Sequence, residues 1–322
     1  MKYRTLGRSA WNVSEIGFGG WGIGRSWWGK TDDKESIKAL KTAWDCGINF
    51  FDTAYVYGDG HSEKLMGENL PREAIIATKI PPKNNEWPAS PKTSCSKAFP
   101  AKWILDCTER SLKNLGREQI DLTQFHVWTD AWLDDEGWQG AIEKLKQDGK
   151  IRAFGVSIND HDPNSAVKLV SSGLADTVQV IFNIFDQSPL ERLFPLCQQK
   201  QVGVIARVPF DEGGLTGMLS KDMKFEGDDF RKQYFKGNNL TETIQRVEKL
   251  KAFIGDGTHS LPELALRFIL SHKVVSSVIP GMRKTKHVLD NVGVAGSVLP
   301  PALVNELHAH AWKRNFYAMW EE

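Results

Sequence analysis

Short apolar runs alternate with amphipathic segments along most of this chain. The runs are typical of buried strands, because each is brief, apolar on both faces and bounded by turn residues. The segments between them repeat apolar residues at helical spacing, as Ile37, Leu40 and Trp44 do after the predicted helix start at Asp32. Glu35 follows Asp32 by three positions, which predicts a capping box. The alternation therefore predicts a succession of strand–helix units on a parallel sheet.

Eight such units follow one another from residue 17 onward. The predicted strands begin at residue 17 and then span 49–52, 74–79, 121–126, 153–157, 177–181, 203–207 and 275–279. The predicted helices begin near residues 32, 62, 101, 137, 163, 190, 241, 260, 285 and 301. Eight units in a chain of 322 residues favour a closed α/β barrel of the (β/α)8, or TIM-barrel, type.

The two ends of the chain add smaller elements to the predicted barrel. Extended pieces at 2–6 and 13–16 flank a Gly-Arg-Ser turn and predict an N-terminal β-hairpin, while a C-terminal helix starts near Pro301. No linker marks a boundary, so we expect residues 1–322 to form a single domain. An open doubly wound sheet is the alternative, but it usually carries a Gly-x-Gly-x-x-Gly motif, whereas five glycines crowd positions 17–24 here.

Composition narrows the range of partners. Lys and Arg number 41 against 40 Asp and Glu, and this balance argues against nucleic acid or an anionic membrane surface. No apolar run reaches the length of a membrane span, and the first residues lack the apolar core of a secretory signal. The four cysteines are scattered, as in a protein with reduced thiols. We therefore expect a cytoplasmic protein, and a monomer, since nothing demands an interface.

Ionisable residues end three successive predicted strands. These are Asp52, Lys79 and His126, and in a barrel the carboxyl ends of the strands meet at one mouth. A buried carboxylate requires a cation, so Lys79 is the predicted partner of Asp52. Each residue alone also has an ordinary structural explanation. Lys79 fits a solvated residue at a strand end, and His126 fits a buried histidine of the core. Their joint occurrence favours a functional site.

Tyr57 follows Asp52 by five positions and completes this group. A phenol titrates near pH 10, and a nearby ammonium lowers that pKa. The pair of Asp52 and Lys79 is therefore expected to make Tyr57 more acidic, while a neutral His126 holds a substrate oxygen. The group suits a general acid directed at a carbonyl oxygen. None of these side chains supplies a hydride, so the chemistry requires a cofactor.

Residues 52–58 read D-T-A-x-x-Y-G and, with Lys79 and His126 at the following strand ends, resemble the active-site signature of the aldo-keto reductases. The resemblance covers nearly the whole chain. It implies a (β/α)8 barrel that reduces aldehydes or ketones with a nicotinamide cofactor, NADPH more than NADH. It also implies that Asp52, Tyr57, Lys79 and His126 are catalytic, with Tyr57 as the general acid.

The same resemblance assigns cofactor contacts. It implies that Ser157, Asn159 and Gln179 bind the nicotinamide carboxamide, although Ile158 separates the usually adjacent Ser and Asn. Arg207 stands where the family often has an aromatic residue stacked on nicotinamide. The contacts to the pyrophosphate, the 2′-phosphate and the adenine are assigned to Gly214, Leu215 and Gly217, to Gly281, Arg283 and Lys284, and to Asn291, respectively. Independently, Arg283 and Lys284 add positive charge at a predicted helix start, which favours phosphate.

The substrate pocket is expected at the same mouth. Its candidate walls are tryptophans in segments between predicted strands and helices, namely Trp21, Trp28, Trp87 and Trp128. The long segments 81–100 and 209–239 are predicted functional loops. Lysines in 81–100 favour polar or sugar-like carbonyls, and the tryptophans suit aromatic ones.

Two other functions stay open from the sequence. A nicotinamide-binding regulatory or sensor subunit would use the same barrel without relevant turnover. A metal-dependent barrel hydrolase would need several His or carboxylate ligands at strand ends, and beyond Asp52 and His126 the predicted strand ends offer none. We therefore predict no metal site.

Overall fold

The computed structural model describes residues 1–24, 31–225, 227, 229–255 and 257–317. The strands are β1 Tyr3–Thr5, β2 Asn12–Ser14, β3 Phe18–Gly19, β4 Phe50–Asp52, β5 Ile75–Ile80, β6 Ile120–Phe125, β7 Ile151–Ser157, β8 Thr177–Ile181, β9 Gly203–Arg207 and β10 Val275–Val278. The α-helices are α1 Asp33–Asp45, α2 His61–Asn69, α3 Cys95–Ala98, α4 Ala101–Leu115, α5 Glu136–Gln147, α6 Val167–Ser172, α7 Leu193–Lys200, α8 Arg231–Tyr234, α9 Asn239–Leu250, α10 Leu261–Leu270, α11 Thr285–Val292 and α12 Pro301–His308.

Eight parallel strands, β3 to β10, form one sheet in chain order within the described residues. The sheet curls until its first strand meets its last. Gly17 N–H donates to the Val278 carbonyl at 2.8 Å, and Gly19 N–H donates to the Pro280 carbonyl at 3.0 Å. These bonds confirm the predicted barrel and exclude the open sheet. A Cβ on Gly19 would lie 2.7 Å from the Ile279 carbonyl oxygen, so glycine permits the close approach at this seam.

The N-terminal hairpin is also confirmed. Strands β1 and β2 pair antiparallel, with Arg4 opposite Val13. Leu6 and Val13 are fully buried against Phe50 and Ile205 in a small apolar cluster. The hairpin therefore closes one end of the barrel and leaves the other for chemistry.

The helix starts agree with the predicted caps in part. The Asp32 carboxylate accepts from Lys34 N–H at 2.9 Å and begins α1, as expected for an N-cap. At α10 the Ser260 hydroxyl accepts from Glu263 N–H at 3.2 Å. The Glu263 carboxylate accepts from His259 N–H rather than from Ser260 N–H, so only one of the two hydrogen bonds of a capping box forms at α10.

The two long loops contain short helices that the hydrophobic pattern did not predict. They are α3 within 81–100 and α8 within 209–239, with a 3-10 turn at Asp211–Thr216. The helix expected from residue 163 is a 3-10 turn, Pro163–Ala166, followed by α6. Within the described ranges, none of the helices combines the length and apolar character that a membrane span requires.

Candidate active site

The four residues predicted to be catalytic meet at the mouth of the barrel. Lys79 Nζ lies 2.5 Å from Asp52 Oδ1 and donates to the Thr53 carbonyl at 2.7 Å. It also lies 3.4 Å from the Tyr57 hydroxyl. Strands β4 and β5 are neighbours in which Asp52 faces Ala77, and this register brings Lys79 beside the carboxylate. The predicted pairing of Asp52 with Lys79 is thus what the structure has.

Two amides hold the second oxygen of the Asp52 carboxylate. Gln179 Nε2 donates to Asp52 Oδ2 at 2.7 Å, and Gln124 Nε2 donates to the same oxygen at 3.5 Å. A buried ion pair is tolerated when hydrogen bonds satisfy its remaining lone pairs. Gln179 was expected to bind the cofactor carboxamide; its amide nitrogen donates to Asp52, and the contact with a carboxamide stays a prediction. Gln124 was not predicted, although a glutamine two residues before His126 in an apolar strand is a usable signal.

The predicted acidification of Tyr57 is wrong for this structure. Burial, and then the charge of Asp52, raise the pKa of the Tyr57 hydroxyl well above 10.0, and the opposing charge of Arg207 is the smaller effect. Burial also lowers the pKa of Lys79, against the attraction of Asp52. Desolvation outweighs the opposing positive charge because the whole group is enclosed. Tyr57 is therefore protonated at neutral pH.

His126 follows β6 directly and carries a neutral imidazole. Burial, then the charges of Lys79 and Arg207, lower the pKa of His126 well below 6.5. Its buried Nδ1 has no hydrogen-bond partner in the part of the chain that the structure describes. The ring stands edge-on to Tyr57, with centroids 5.8 Å apart. This agrees with the predicted role of an uncharged hydrogen-bonding group.

Aromatic side chains flank these residues. Trp21 stacks near Tyr57 with ring centroids 6.2 Å apart, and Phe230 packs on Trp21 at 4.9 Å. Trp87 stands edge-on to His126 at 4.8 Å and remains 39% exposed. Trp21 and Trp87 thus lie where the sequence predicted pocket walls.

The other two predicted wall residues have different outcomes. Trp28 lies outside the described residues. Trp128 is fully buried, packs edge-on to Trp132 and Trp138, and donates its indole N–H to Asp130. It belongs to the hydrophobic core and has no exposed surface with which to line a pocket. The prediction for Trp128 was wrong, since an aromatic residue in a loop gives no sign of the direction of its side chain.

Arg207 ends β9 and is tied to the segment after β7. Its guanidinium donates to the Ile158 carbonyl at 2.8 Å and to the Asp160 carboxylate at 2.5 Å. Its positive charge lowers the pKa of both Tyr57 and His126, so it lies within the same group. Asp160 was not predicted, and its contact with Arg207 depends on a tertiary approach that spacing does not encode.

Asn159 makes a contact that the sequence did not predict. Its amide oxygen accepts from Ala89 N–H and its amide nitrogen donates to the Ala89 carbonyl, both at 3.0 Å. The side chain therefore binds the 81–100 loop through the backbone of Ala89. Ser157, at the end of β7, is buried beside it. The cofactor contacts of Asn159 and Ser157 both stay predictions.

Some backbone N–H groups of the predicted pyrophosphate loop are already hydrogen-bonded within the loop. The N–H groups of Gly213 and Leu215 both donate to the Phe210 carbonyl, at 3.0 and 2.9 Å. A Cβ on Gly214 would lie 2.8 Å from an Asp211 carboxylate oxygen, and Gly217 has a φ of 73°. The shape of this loop thus depends on its glycines, and its contacts with a cofactor stay a prediction.

The end of the described chain covers this same loop. Arg314 donates to the buried carboxylate of Asp211 and lies 2.9 Å from the Tyr234 hydroxyl. The Tyr317 hydroxyl donates to Glu212, a buried residue whose pKa burial raises from 4.5 to about 8. No pattern in the sequence indicates these contacts, because they join segments about a hundred positions apart.

A cavity lined by both acidic and basic residues lies at the start of α11. It measures about 320 Å³ and is lined by Thr31, Asp32, Glu35, Ser36, Arg283 and Lys284. Burial, then the positive charge of Arg231, lower the pKa of Arg283, so two guanidinium groups lie near one another. Asp229 pairs with Arg231 at 2.5 Å, so the basic side of the cavity, formed by Arg283 and Lys284, is the part that suits an anion. Arg231 was not predicted. Of the other residues assigned to this region, Gly281 is exposed and bridges to Gly19, and Asn291 is buried in α11.

A family model described as "Aldo/keto reductase family" matches residues 15–311. The chain belongs to the aldo/keto reductase family. This confirms the resemblance seen in the sequence. As a member, the protein is an oxidoreductase that acts on carbonyl compounds with a nicotinamide cofactor.

Three curated relatives of this aldo/keto reductase have different names. Aldo-keto reductase YhdN from Bacillus subtilis is 30% identical over 88% of this chain and 86% of its own length. An NADH-specific methylglyoxal reductase from Escherichia coli is 28% identical over 91% and 93%. A probable voltage-gated potassium channel subunit beta from Oryza sativa is 26% identical over 96% of each.

Among solved structures, the holo form of aldo-keto reductase AKR11C1 from Bacillus halodurans superposes on this aldo/keto reductase with a TM-score of 0.76. The two chains are 27% identical and each is covered completely. No group of three or more His, Cys, Asp or Glu side chains suited to a metal ion occurs in the described part of the chain.

Proposed function

We propose that this aldo/keto reductase reduces aldehydes and ketones to alcohols with Tyr57 as the general acid, and that it also runs the reverse reaction. One observation carries the proposal: the Lys79 ammonium, paired with Asp52, lies 3.4 Å from the Tyr57 hydroxyl beside a neutral His126. A protonated phenol, a neutral hydrogen-bonding group and an enclosed cation form a preorganised site for a carbonyl oxygen.

Each residue has a distinct task in the proposed reaction. The nicotinamide group, when bound, supplies the hydride to the carbonyl carbon. His126 holds the carbonyl oxygen, and Tyr57 donates its proton to that oxygen. The tyrosinate that forms is stabilised by the Lys79 ammonium, which Asp52 and Gln179 hold in place. Trp21 and Trp87 exclude water from the reacting atoms.

The cofactor we propose is NADPH. The neighbouring guanidinium groups of Arg283 and Arg231, with Lys284 beside the cavity, suit a 2′-phosphate at the start of α11. Ser157 and Gln179 would contact the carboxamide, Gly214, Leu215 and Gly217 the pyrophosphate, Gly281 the phosphates, and Asn291 the adenine. Because one relative is named NADH-specific, the preference needs a direct test. Arg283→Ala should weaken NADPH binding at least about tenfold and NADH binding far less, as measured by fluorescence titration.

Replacing Tyr57 with phenylalanine tests the proposed acid. Tyr57→Phe removes the proton and keeps the ring, so kcat for a reactive aldehyde should fall by about 100-fold or more. The dissociation constant of NADPH should stay within about twofold, because the hydroxyl is assigned no part in cofactor binding. Wild-type turnover by the variant would show that another group donates the proton.

A second candidate is a regulatory subunit that binds nicotinamide without relevant turnover. The relative named as a probable potassium channel subunit beta, which matches over 96% of this chain, favours it. A panel of aldoses, aromatic aldehydes and ketones, followed by NADPH absorbance, separates the two. A regulatory subunit binds NADPH but shows negligible flux with every compound.

The protein is further proposed to act as a cytoplasmic monomer. Light scattering after size-exclusion chromatography measures its mass directly, and 36.2 kDa is the value expected of one chain. A mass of four chains would instead favour an assembly.

A further inference from the structure

Three side chains hold the 81–100 loop in place by hydrogen bonds to its backbone, and each of these contacts is called a tie here. Two are indoles: Trp103 Nε1 donates to the Pro81 carbonyl at 2.8 Å, and Trp132 Nε1 donates to the Thr93 carbonyl at 2.6 Å. These hold the start and the later part of the loop. The third tie is Asn159, which holds the middle at Ala89.

The side-chain amide of Asn159 pairs with Ala89 as the backbone of a neighbouring strand would. Its amide oxygen and nitrogen satisfy both the N–H and the carbonyl of Ala89, at 3.0 Å each. Both residues are buried, at 9% and 6% exposure, so the two hydrogen bonds are shielded from water. Buried backbone groups are costly to leave unpaired. Asn159 therefore fixes the position of Ala89 relative to β7.

Trp87 lies two residues before Ala89 and is the part of the loop that contacts the proposed catalytic group. Its ring stands edge-on to His126 at 4.8 Å while 39% of its surface stays exposed. The loop lysines, Lys83, Lys92 and Lys97, are all exposed. The loop thus presents an aromatic ring to the mouth.

We infer that Asn159 is a positioning residue that acts through Trp87 and makes the site selective for flat, aromatic carbonyl compounds. The inference rests on the proposed function. Asn159 holds Ala89, Ala89 fixes Trp87, and Trp87 forms a rigid wall beside His126. An aromatic substrate binds more tightly when it packs on fixed rings, whereas a small aliphatic aldehyde makes less contact with them and gains less affinity.

Substrate kinetics test the inference with benzaldehyde and propanal. In Asn159→Ala, the ratio of kcat/KM for benzaldehyde to that for propanal should fall about tenfold, chiefly through KM for benzaldehyde. Trp87→Ala should lower the same ratio. If Asn159 acts through Trp87, the double variant has the ratio of Trp87→Ala. Independent, multiplying losses would overturn the inference. Asn164→Ala, at an exposed asparagine nearby, serves as the matched control.

Cofactor binding separates this role from the one expected from the sequence. A carboxamide ligand at position 159 would raise the dissociation constant of NADPH in Asn159→Ala and leave the aldehyde ratio unchanged. That result would overturn the inference. Wild-type protein that reduces neither aldehyde contradicts the proposed function itself, whereas wild-type turnover with an unchanged ratio in Asn159→Ala contradicts only the role of Asn159.

Hydrogen exchange reports on the tie without any turnover. In Asn159→Ala, the loop amides around Ala89 should exchange about tenfold faster, because their fixed partner is gone. Asn159→Asp keeps the acceptor for Ala89 N–H and loses the donor to its carbonyl, so intermediate exchange is expected. Wild-type protection of these amides in Asn159→Ala would show that the tie does not hold the loop.

Discussion

Tyr57 keeps its proton because the site around it is enclosed. Burial and the Asp52 carboxylate both raise the pKa of the hydroxyl, and this suits a group that must hold a proton until a carbonyl oxygen arrives. The nearby cations are then useful after proton transfer, when the phenolate needs stabilisation. Lys79 and Arg207 thus act on the product of the step rather than on the resting acid.

Lys79 also determines stability, because it neutralises a buried carboxylate. Lys79→Met leaves Asp52 without a cation inside the barrel, and we expect a loss of about 3–5 kcal/mol in the free energy of unfolding. The double variant Asp52→Asn with Lys79→Met removes both charges and should recover part of that loss. Urea unfolding measures all three proteins. Equal stability of Lys79→Met and wild type would mean that water reaches the carboxylate.

Glu212 is expected to make stability depend on pH. Since burial raises its pKa from 4.5 to about 8, the folded protein keeps a proton that the unfolded chain releases between these pH values. Its contribution to stability is full below pH 4.5 and is lost as pH rises through 8. Glu212→Gln should therefore gain on wild type by up to roughly 4 kcal/mol between pH 5 and pH 8, measured by urea unfolding. A constant difference between the two proteins would contradict the shift.

At the scale of elements, the sequence predicted those parts of the site whose positions follow from the order of the strands in the barrel. Asp52, Lys79 and His126 could be grouped because parallel strands of a barrel deliver their carboxyl ends to one mouth. The contacts of Asn159 could not be predicted, because its partner lies in a loop whose path no periodicity records. The same holds for Trp128, whose side chain packs inward from a segment that resembles a mouth loop.

The seam between β3 and β10 depends on a residue without a side chain. In Gly19→Ala the new Cβ would meet carbonyl oxygens of Ile279 and Pro280 at 2.7 and 2.9 Å, and these belong to backbone that cannot swing away. We expect a loss of about 1–3 kcal/mol in thermal or urea unfolding.

Gly140 is the matched control for this substitution. It lies within α5 with no atom near its would-be Cβ, so Gly140→Ala should stabilise the protein by about 0.5–1 kcal/mol. If Gly19→Ala were as stable as Gly140→Ala, the seam would accommodate a Cβ and the predicted clash would be contradicted.

For the whole molecule, the last described residues complete the loop region that follows β9. Arg314 is the cation for the buried Asp211 carboxylate, so Arg314→Met should cost about 3–5 kcal/mol and expose the C-terminal segment to protease. Lys313→Met, at an exposed neighbour, is the control and should match wild type. Thermal unfolding and limited proteolysis provide the measurements, and an unchanged digestion pattern in Arg314→Met would contradict the role of this ion pair.

The seam also has a consequence for synthesis on the ribosome. The bond from Gly17 to Val278 joins residues 261 positions apart. At about 5–20 residues per second, the first barrel strand emerges roughly 10–50 s before the strand that covers its edge. During that time the nascent chain carries an unpaired strand edge, which is a site for aggregation or chaperone binding. The N-terminal hairpin also reaches its final contacts only after residues 270–275 are synthesised, since Arg4 donates hydrogen bonds to carbonyls in that range.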